Sequence, residues 1–228
     1  PVAIRQYNIK INSATIEERT LIEIAIGFFA ARSPEVLRQG FCKEIVVRRT
    51  LAEMPPAGLV IANLAGYYEL DIRRISLLSN QMDFPIVIHE LDHAATECRK
   101  GSTAGKEMLA RFLKDVPAVY GKSYSYFDKF PTFPFINEYS TKNEDEHRAE
   151  WRRYTYLLLY ELWQESRGER SIYLYSPVRD IPFNDEWKKF FNWSLAAHDI
   201  TQDDYDALNK YFAIRDRIAT RDAQTPKK

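Results

Sequence analysis

Short runs rich in β-branched residues alternate along this chain with longer segments of helical hydrophobic spacing. The runs from Val2 to Ile11, from Glu44 to Arg49 and from Gly58 to Leu64 predict strands. The stretch from Tyr67 to Leu77 mixes polar and apolar positions, which favours an edge or hairpin strand with one solvated face. We therefore expect a small sheet in the first half of the chain.

Capping residues predict where the helices begin. Thr15 with Glu18 has the form of a capping box, and its helix is expected to run to about Ala31. Ser33-Pro34 predicts a second helix that ends at Gly40. The other predicted helices are 84–100, 102–113, 141–166 with Thr141 and Glu144 as a capping box, 185–198, and 201–218 with Thr201 and Asp204 at its start. His198 is interpreted as a helix-end residue. The aromatic residues of the helix 185–198 are expected to pack against the helices 84–100 and 141–166; they are Trp187, Phe190, Phe191 and Trp193.

The segments between these helices carry weaker signals. Residues 120–139 combine many aromatic residues with prolines, which predicts a long loop that either walls a substrate cleft or packs as a structural lid. Residues 171–175 have strand-like composition, and residues 221–228 are expected to be disordered. We expect an α+β fold of one domain, 1–228. A small mixed sheet lies in an N-terminal lobe of about residues 1–100, and the C-terminal lobe is mainly helical.

The composition permits a sizeable core but indicates no strongly charged partner. The 228 residues are 45% hydrophobic and 14% aromatic. The 32 basic and 32 acidic residues give a formal net charge of zero, which excludes a general attraction to nucleic acid or to an anionic membrane. No apolar run approaches the roughly 18 residues of a membrane span. The pairs Arg48-Arg49 and Arg73-Arg74 are interpreted as paired charges on a solvated strand face.

The compartment is left open by the sequence itself. The chain begins at Pro1 without a methionine, so we expect that its N-terminus was removed by processing or cloning, and the lack of a secretory signal then decides nothing. Cys42 and Cys98 are the only cysteines. They would form one disulfide in an exported protein, or two small buried hydrophobic residues in a reducing compartment.

The strongest chemical signal is His89-Glu90-Leu91-Asp92-His93, which lies inside an apolar, helix-forming run. Histidines four apart on a helix stack on one face, so both imidazoles can reach a single zinc ion. Glu90 is positioned to take the proton of a water that attacks a carbonyl. Such a string also arises by chance, but histidines and acids in a buried helix are unfavourable without partners, and a metal is such a partner.

A third metal ligand must come from another segment. Metzincins carry a third histidine six residues after the second one, but that position is Arg99 here, which excludes the class. The later predicted helix offers Glu146 and Glu150, which share one face. Two competitors are weaker, since Glu138 precedes the helix cap and His147 points about 100° away from Glu146.

Together these two segments resemble the anthrax lethal factor-like metallopeptidase domain, which includes the secreted Pro-Pro endopeptidases. In that family an H-E-x-x-H helix is followed, later in the chain, by a Tyr and by a Glu seven residues after this Tyr. Two further residues then separate the Glu from an Ala and a second Glu. Tyr139, Glu146, Ala149 and Glu150 keep this pattern, and Asn143 matches the usual Asn before the helix. The resemblance spans about residues 66–160.

The resemblance implies a zinc site with one ion per chain. His89, His93 and Glu146 would be the ligands and Glu90 the general base. Tyr139 would donate its phenol to the oxyanion of the tetrahedral intermediate. The alternatives are a plain surface carboxylate for Glu146 and a packed aromatic residue for Tyr139.

The resemblance also implies roles around the zinc site. Glu150 would accept a hydrogen bond from a ligating imidazole. In zinc peptidases of this architecture the strand nearest the metal leaves its edge open for an extended peptide. Gly66, Tyr67 and Tyr68 are the candidate substrate-binding residues, with an ordinary edge strand as the alternative reading of this segment.

Two positions depart from the family pattern. Asp92 stands where the family commonly has Gly, and His147-Arg148 replace what is often a pair of aromatic residues. Neither departure removes a proposed ligand. Asp92 is expected to alter the packing of its helix or to add charge near the site.

The function implied by the resemblance is that of a gluzincin-like, zinc-dependent endopeptidase, secreted as a protease or toxin effector. Its partner would be a protein or peptide substrate. Two alternatives remain open: an inactive metallopeptidase-like interaction domain, and a zinc hydrolase that acts on a non-peptide amide.

Overall fold

The fold was analysed in a computed structural model, which describes residues 2–34, 40, 42–55, 65–116, 142–169 and 185–224. These residues form a mixed α+β structure with mostly helical content, as the sequence predicts. The helices are α1 (Val2–Tyr7), α2 (Ile16–Arg32), α3 (Phe84–Lys100), α4 (Thr103–Asp115), α5 (Glu144–Ser166), α6 (Asp185–Ala196) and α7 (Gln202–Gln224). The strands are β1 (Lys10–Asn12), β2 (Glu44–Arg48), β3 (Gly66–Glu69) and β4 (Arg74–Leu78), and a short 3₁₀ helix spans Leu51–Glu53.

The four strands form one mixed sheet in the order β1-β2-β4-β3. Strand β2 pairs in parallel with both β1 and β4, whereas β3 runs antiparallel to β4. Residues 67–77 were expected to form one edge or hairpin strand. They form a hairpin of β3 and β4 instead, because a turn at residues 70–73, with Arg73 at φ 54°, divides the segment. Strand β3 lies at the edge of the sheet, with Gly66 opposite Leu77 and Glu69 opposite Arg74.

The core lies between the sheet and helices α2, α3 and α5, and it continues into an aromatic cluster under α6. Trp151 of α5 packs against Trp187 and Phe190 of α6, with ring centroids 4.5 and 5.3 Å apart. Phe112 of α4 meets Trp193 at 5.0 Å. The predicted packing of the α6 aromatic residues is thus confirmed for α5, and α4 contributes a further contact.

Local capping explains where the two helices of the candidate site begin. Asp83 is the N-cap of α3, and its carboxylate accepts a hydrogen bond of 2.8 Å from the Ile86 amide. Asn143 is the N-cap of α5 and accepts from the Glu146 amide at 2.9 Å. The predicted Thr141–Glu144 capping box is therefore wrong, because the Asn143 side chain occupies that role.

Other capping predictions are confirmed. Thr15 and Glu18 form the predicted box at the start of α2. Thr201 and Asp204 do the same for α7, since each backbone amide donates to the other residue's side chain.

Two terminal predictions are wrong. Residues 2–11 were expected to form a strand, but they form α1 and then the start of β1, with Asn8 between them at φ 54°. Asn tolerates this left-handed conformation, which ends the helix and turns the chain into the sheet. Helix α7 continues to Gln224, so the expected disorder from residue 221 does not begin there.

Several predictions lie outside the described residues. They are most of the second helix at 34–40, the strand at 58–64, the aromatic loop at 120–139 and the strand at 171–175. Among the described helices, none combines the length and apolarity that a bilayer span requires.

Candidate metal centre

Helices α3 and α5 bring His89, His93 and Glu146 together, and these three residues are called the triad below. The Nε2 atoms of His89 and His93 are 3.0 Å apart. The Oε2 atom of Glu146 lies 3.1 Å from the first nitrogen and 3.2 Å from the second. Two imidazole nitrogens and one carboxylate oxygen thus form a nearly equilateral triangle.

The spacing of this triangle fits the donors of a small dication. Metal–ligand distances of about 2.0–2.1 Å in a tetrahedral site separate neighbouring donors by about 3.3 Å. The three observed separations of 3.0, 3.1 and 3.2 Å are close to that value. Two histidines with one carboxylate are also a known donor set of catalytic zinc sites.

Glu150 supports the triad from the next turn of α5. Its Oε1 atom lies 2.8 Å from Nδ1 of His89, and the residue is fully buried. The same oxygen lies 3.1 Å from the Arg153 guanidinium. A hydrogen bond from Nδ1–H to Glu150 fixes the imidazole so that the lone pair of Nε2 is directed into the triad.

The pKa values of His89 and Glu146 reflect the opposite charges that these two residues bring together. Burial by itself lowers the pKa of His89, but hydrogen bonds with Glu146 and Glu150 outweigh it and raise the pKa to about 10. For Glu146, burial raises the pKa, but hydrogen bonds from His89 and His93 outweigh it and hold the pKa well below its usual range. The carboxylates around these imidazoles therefore favour a positive charge at this point.

Glu90 lies beside the triad, with its carboxylate packed against strand β3. Burial raises the pKa of Glu90, and the neighbouring imidazoles of His89 and His93 oppose this rise. A β-carbon built on Gly66 would lie only 2.6 Å from Cγ and Oε1 of Glu90. The absence of a side chain at Gly66 therefore leaves the space that the Glu90 carboxylate occupies.

The edge strand β3 places the other candidate substrate-binding residues. Tyr68 lies on the same face of β3 as Gly66, because side chains two apart on a strand share a face. Burial, followed by nearby Cys42, raises the pKa of the half-buried Tyr68 to about 12. Tyr67 lies on the opposite face. Within the described part of the chain, no strand pairs with the outer edge of β3.

A second buried polar group lies where α3 and α5 pack. Asp92 of α3 is fully buried, with Oδ1 3.2 Å from Nη2 of Arg152 and Oδ2 3.5 Å from Nε of Arg148. The carboxylate of Asp199 contacts both Arg152 and Arg99. We call Asp92, Arg99, Arg148, Arg152 and Asp199 the arginine–aspartate cluster.

The cluster and the triad lie on different flanks of the contact between α3 and α5. Two residues of a helix correspond to about 200° of rotation, so Arg148 and Arg152 project from the side of α5 opposite to Glu146 and Glu150. Burial raises the pKa of Asp92, but the arginines outweigh it and lower the pKa. The charge that Asp92 was expected to add near the site is thus neutralised on the other flank.

The remaining predicted residues divide into two groups. Tyr139 and Glu138 lie outside the described residues. His147 is buried away from the triad, and its Nε2 accepts a hydrogen bond of 2.9 Å from the Trp151 indole. His198 follows the end of α6 at φ 55°, in keeping with the prediction of a helix-end residue.

Four charged residues of the site were missed by reasoning from the sequence. Arg153 lies three residues after Glu150, a helical spacing that can indicate a pair. Arg148 and Arg152 are one turn apart, which indicates a shared face but not its partners. Asp199 carries no local signal, because its contacts come from helices distant in the sequence.

Comparisons of the chain with models of protein families, with curated proteins and with solved structures found no match.

Proposed function

We propose that this protein is a zinc-dependent endopeptidase with a zincin-like fold, related to the lethal factor-like metallopeptidases. His89, His93 and Glu146 hold the metal, and Glu90 is the general base. The observation that carries this function is the near-equilateral triangle of triad donors with the Glu90 carboxylate beside it. Secretion and a protein or peptide substrate belong to the same proposal.

The donor set supports zinc over the hard cations. Calcium and magnesium prefer sites built from oxygen ligands, whereas imidazole nitrogens suit zinc and its transition-metal neighbours. A site with three carboxylates, of which Glu90 and Glu150 are buried and Glu146 is partly exposed, also favours a dication over a single proton. The triad therefore has the donor type, the spacing and the charge that this metal requires.

A zinc ion bound there would supply Lewis acidity, which lowers the pKa of a water and stabilises negative charge on a carbonyl oxygen. Glu90 accepts the proton of the attacking water and then delivers it to the leaving amine. Burial raises the pKa of Glu90, which brings this pKa closer to neutral pH and makes the carboxylate a stronger base. Its packing against Gly66 holds the carboxylate at one position beside the triad.

Glu150 and Arg153 orient the metal ligands. Glu150 keeps the proton of His89 on Nδ1, so that Nε2 retains its lone pair for the metal. Arg153 donates to the same oxygen of Glu150, which holds this carboxylate in place. Tyr139 is proposed as the phenol donor to the oxyanion on the family pattern alone.

Strand β3 is the proposed site for the main chain of the substrate. An extended peptide can add to the outer edge of β3 as a further strand, since β3 pairs only with β4 in the described residues. Gly66 lies directly beside Glu90, so a peptide on this edge would have its scissile bond near the base. Main-chain pairing of this kind distinguishes an endopeptidase from a hydrolase of small amides.

The test is cleavage of a peptide library, read by mass spectrometry, with the zinc-loaded protein. The wild type is expected to cut internal peptide bonds and to lose this activity when a chelator removes the metal. Glu90→Gln is expected to abolish cleavage and to keep zinc bound, because the base is not a ligand. Glu107→Gln makes the same change at an exposed position of α4 and is expected to remain active.

Two results would contradict this function. Cleavage by Glu90→Gln at the wild-type rate would remove Glu90 as the base. A wild type that binds zinc but cuts no peptide would favour the alternatives, which a screen of small amides then separates. Hydrolysis of a small amide in that screen would indicate a non-peptide amidase, whereas the absence of any hydrolysis would indicate an interaction domain.

A further inference from the structure

Asp92 lies one residue before the proposed metal ligand His93, but its carboxylate contacts Arg148 and Arg152 of α5. Asp92 is fully buried, as are the two guanidinium groups that it contacts on α5. Its oxygens lie 3.2 Å from Arg152 and 3.5 Å from Arg148. These two arginines are one helical turn apart, so both guanidinium groups contact the same carboxylate of α3.

The cluster connects three parts of the fold. Arg148 also donates to the Thr96 hydroxyl, one turn after Asp92 on α3, with a distance of 2.6 Å from Nη2. Arg152 reaches past α3 to Asp199, in the turn between α6 and α7, and Asp199 in turn binds Arg99 at the end of α3. These contacts join α5 to α3 at Asp92 and Thr96. Through Asp199 they also join both helices to the turn between α6 and α7.

The register between α3 and α5 is decisive for the triad, because its ligands come from both helices. A slide of one residue along a helix is about 1.5 Å, whereas metal–ligand distances tolerate only about ±0.2 Å. Apolar contacts between the helices are non-directional and resist such a slide weakly. A buried ion pair resists it strongly, since a slide would leave a buried charge without its partner.

We propose that Asp92 is a positioning residue of the metal centre. Its ion pairs with Arg148 and Arg152 set the register at which Glu146 of α5 meets His89 and His93 of α3. This role rests on the proposed function only in requiring a metal at the triad. It assigns a task to a group that neither binds the metal nor touches the substrate.

The test measures zinc affinity by competition with a chelator, the absorption spectrum of the Co²⁺-substituted protein and the thermal midpoint of the metal-free protein. Asp92→Asn keeps the shape of the side chain and removes its charge. It is expected to raise the Kd for zinc by about tenfold or more, the size of effect seen when groups that orient metal ligands are changed. Asp115→Asn on α4, whose pair with Arg111 is exposed, is the matched control with an unchanged Kd.

A second variant separates positioning from stability. The double change Asp92→Leu and Arg148→Met replaces the contact between these two residues with an apolar one and leaves Arg152 paired with Asp199. Apolar replacement of a buried ion pair often preserves or raises stability. It is expected to keep a thermal midpoint near that of the wild type, yet to bind zinc about tenfold more weakly and to show an altered Co²⁺ spectrum. Arg148→Lys, which keeps the charge but loses the planar fork, is expected to give a smaller loss of affinity.

A wild-type Kd and a wild-type Co²⁺ spectrum in any folded variant of Asp92 would overturn the positioning role. This outcome is distinct from failure of the proposed function. If the wild-type protein binds zinc through the triad and cleaves no peptide, the endopeptidase activity fails and the role of Asp92 stands on the affinity data. If Glu146→Gln binds zinc as tightly as the wild type, the metal centre itself is wrong, and the role of Asp92 fails with it.

Discussion

The two flanks of the contact between α3 and α5 are both buried and both charged, but their charges are balanced in opposite ways. In the arginine–aspartate cluster, the fully buried carboxylates of Asp92 and Asp199 face three guanidinium groups. On the triad flank, the described residues bring Glu90, Glu146 and Glu150 together with one guanidinium, that of Arg153, which contacts Glu150.

This difference indicates what each flank requires. Ionised groups are rarely buried unless a partner of opposite charge accompanies them. The cluster contains its own cations and needs nothing further. Within the described residues, the triad flank has more carboxylates than guanidinium groups, together with two imidazoles whose Nε2 atoms are 3.0 Å apart. This composition supports the proposed binding of a cation.

The largest expected effect on stability comes from disrupting the arginine–aspartate cluster. Arg152→Met removes the guanidinium that lies between Asp92 and Asp199. We expect the free energy of unfolding to fall by about 3–5 kcal/mol, with or without zinc, because buried carboxylates lose a partner. Urea unfolding measures this loss. Arg111→Met, at an exposed pair, is the control, and equal losses in the two variants would remove the contrast between buried and exposed pairs.

Addition of zinc should stabilise the triad flank. At free zinc of about 100 times its Kd, we expect the free energy of unfolding to rise by about 2.7 kcal/mol. Glu146→Gln, which weakens the triad, should lose most of this gain, whereas Glu165→Gln at an exposed position of α5 should keep it. Thermal unfolding with and without zinc measures the effect. The same gain in all three proteins would locate the stabilising metal elsewhere.

Gly66→Ala tests the position of the base on the triad flank. The added carbon would lie 2.6 Å from the Glu90 carboxylate, so this group must move. We expect kcat/KM for peptide cleavage to fall by about 10–100-fold, or about 1.4–2.7 kcal/mol, with zinc affinity unchanged. Gly27→Ala on α2 has no atom within 4 Å of the new carbon and should keep wild-type activity. Full activity in Gly66→Ala would show that the base does not depend on this contact.

The smallest effect is expected at a solvent-screened pair, Glu18 with Arg49. Burial raises the pKa of Glu18, but hydrogen bonds from Arg49 and Ser79 outweigh it and lower the pKa to about 2. The contribution of ionised Glu18 to the free energy of unfolding is complete above the ordinary pKa of 4.5, and it is lost as the pH falls from there through about 2. Glu18→Gln should lower stability by about 0.2–1 kcal/mol near neutral pH, and less in acid or high salt. Urea unfolding across pH and salt tests this, and an effect that does not change with either would contradict a screened pair.

The parts of the fold that could be predicted from sequence are those fixed by neighbouring residues. The capping box of Thr15 and Glu18 depends on contacts within a few positions, and it is confirmed. Residues 67–77 were predicted as one edge or hairpin strand, and only the edge position was right, because a turn divides them into β3 and β4. The strand predicted from Val2 was wrong because a β-rich composition is a weak signal that packing can override. The start of α5 was misassigned because Thr141 and Asn143 are both good caps, and only the geometry selects between them.

The same distinction applies to the candidate site. His89, Glu90 and His93 form a local motif, and Glu146 with Glu150 has helical spacing, so these residues could be proposed before their geometry was known. The arginine–aspartate cluster could not, because Asp92, Arg152 and Asp199 come from three distant segments. Sequence alone indicates a charge at Asp92 but not the cations that neutralise it.

The most direct test of the metal centre is an anomalous-difference map at the zinc absorption edge from crystals of the zinc-loaded protein. We predict one strong peak per chain, within about 2.0–2.2 Å of Nε2 of His89, Nε2 of His93 and a carboxylate oxygen of Glu146. No peak at the triad, or a peak bound to other residues with Glu146 uninvolved, would contradict this account.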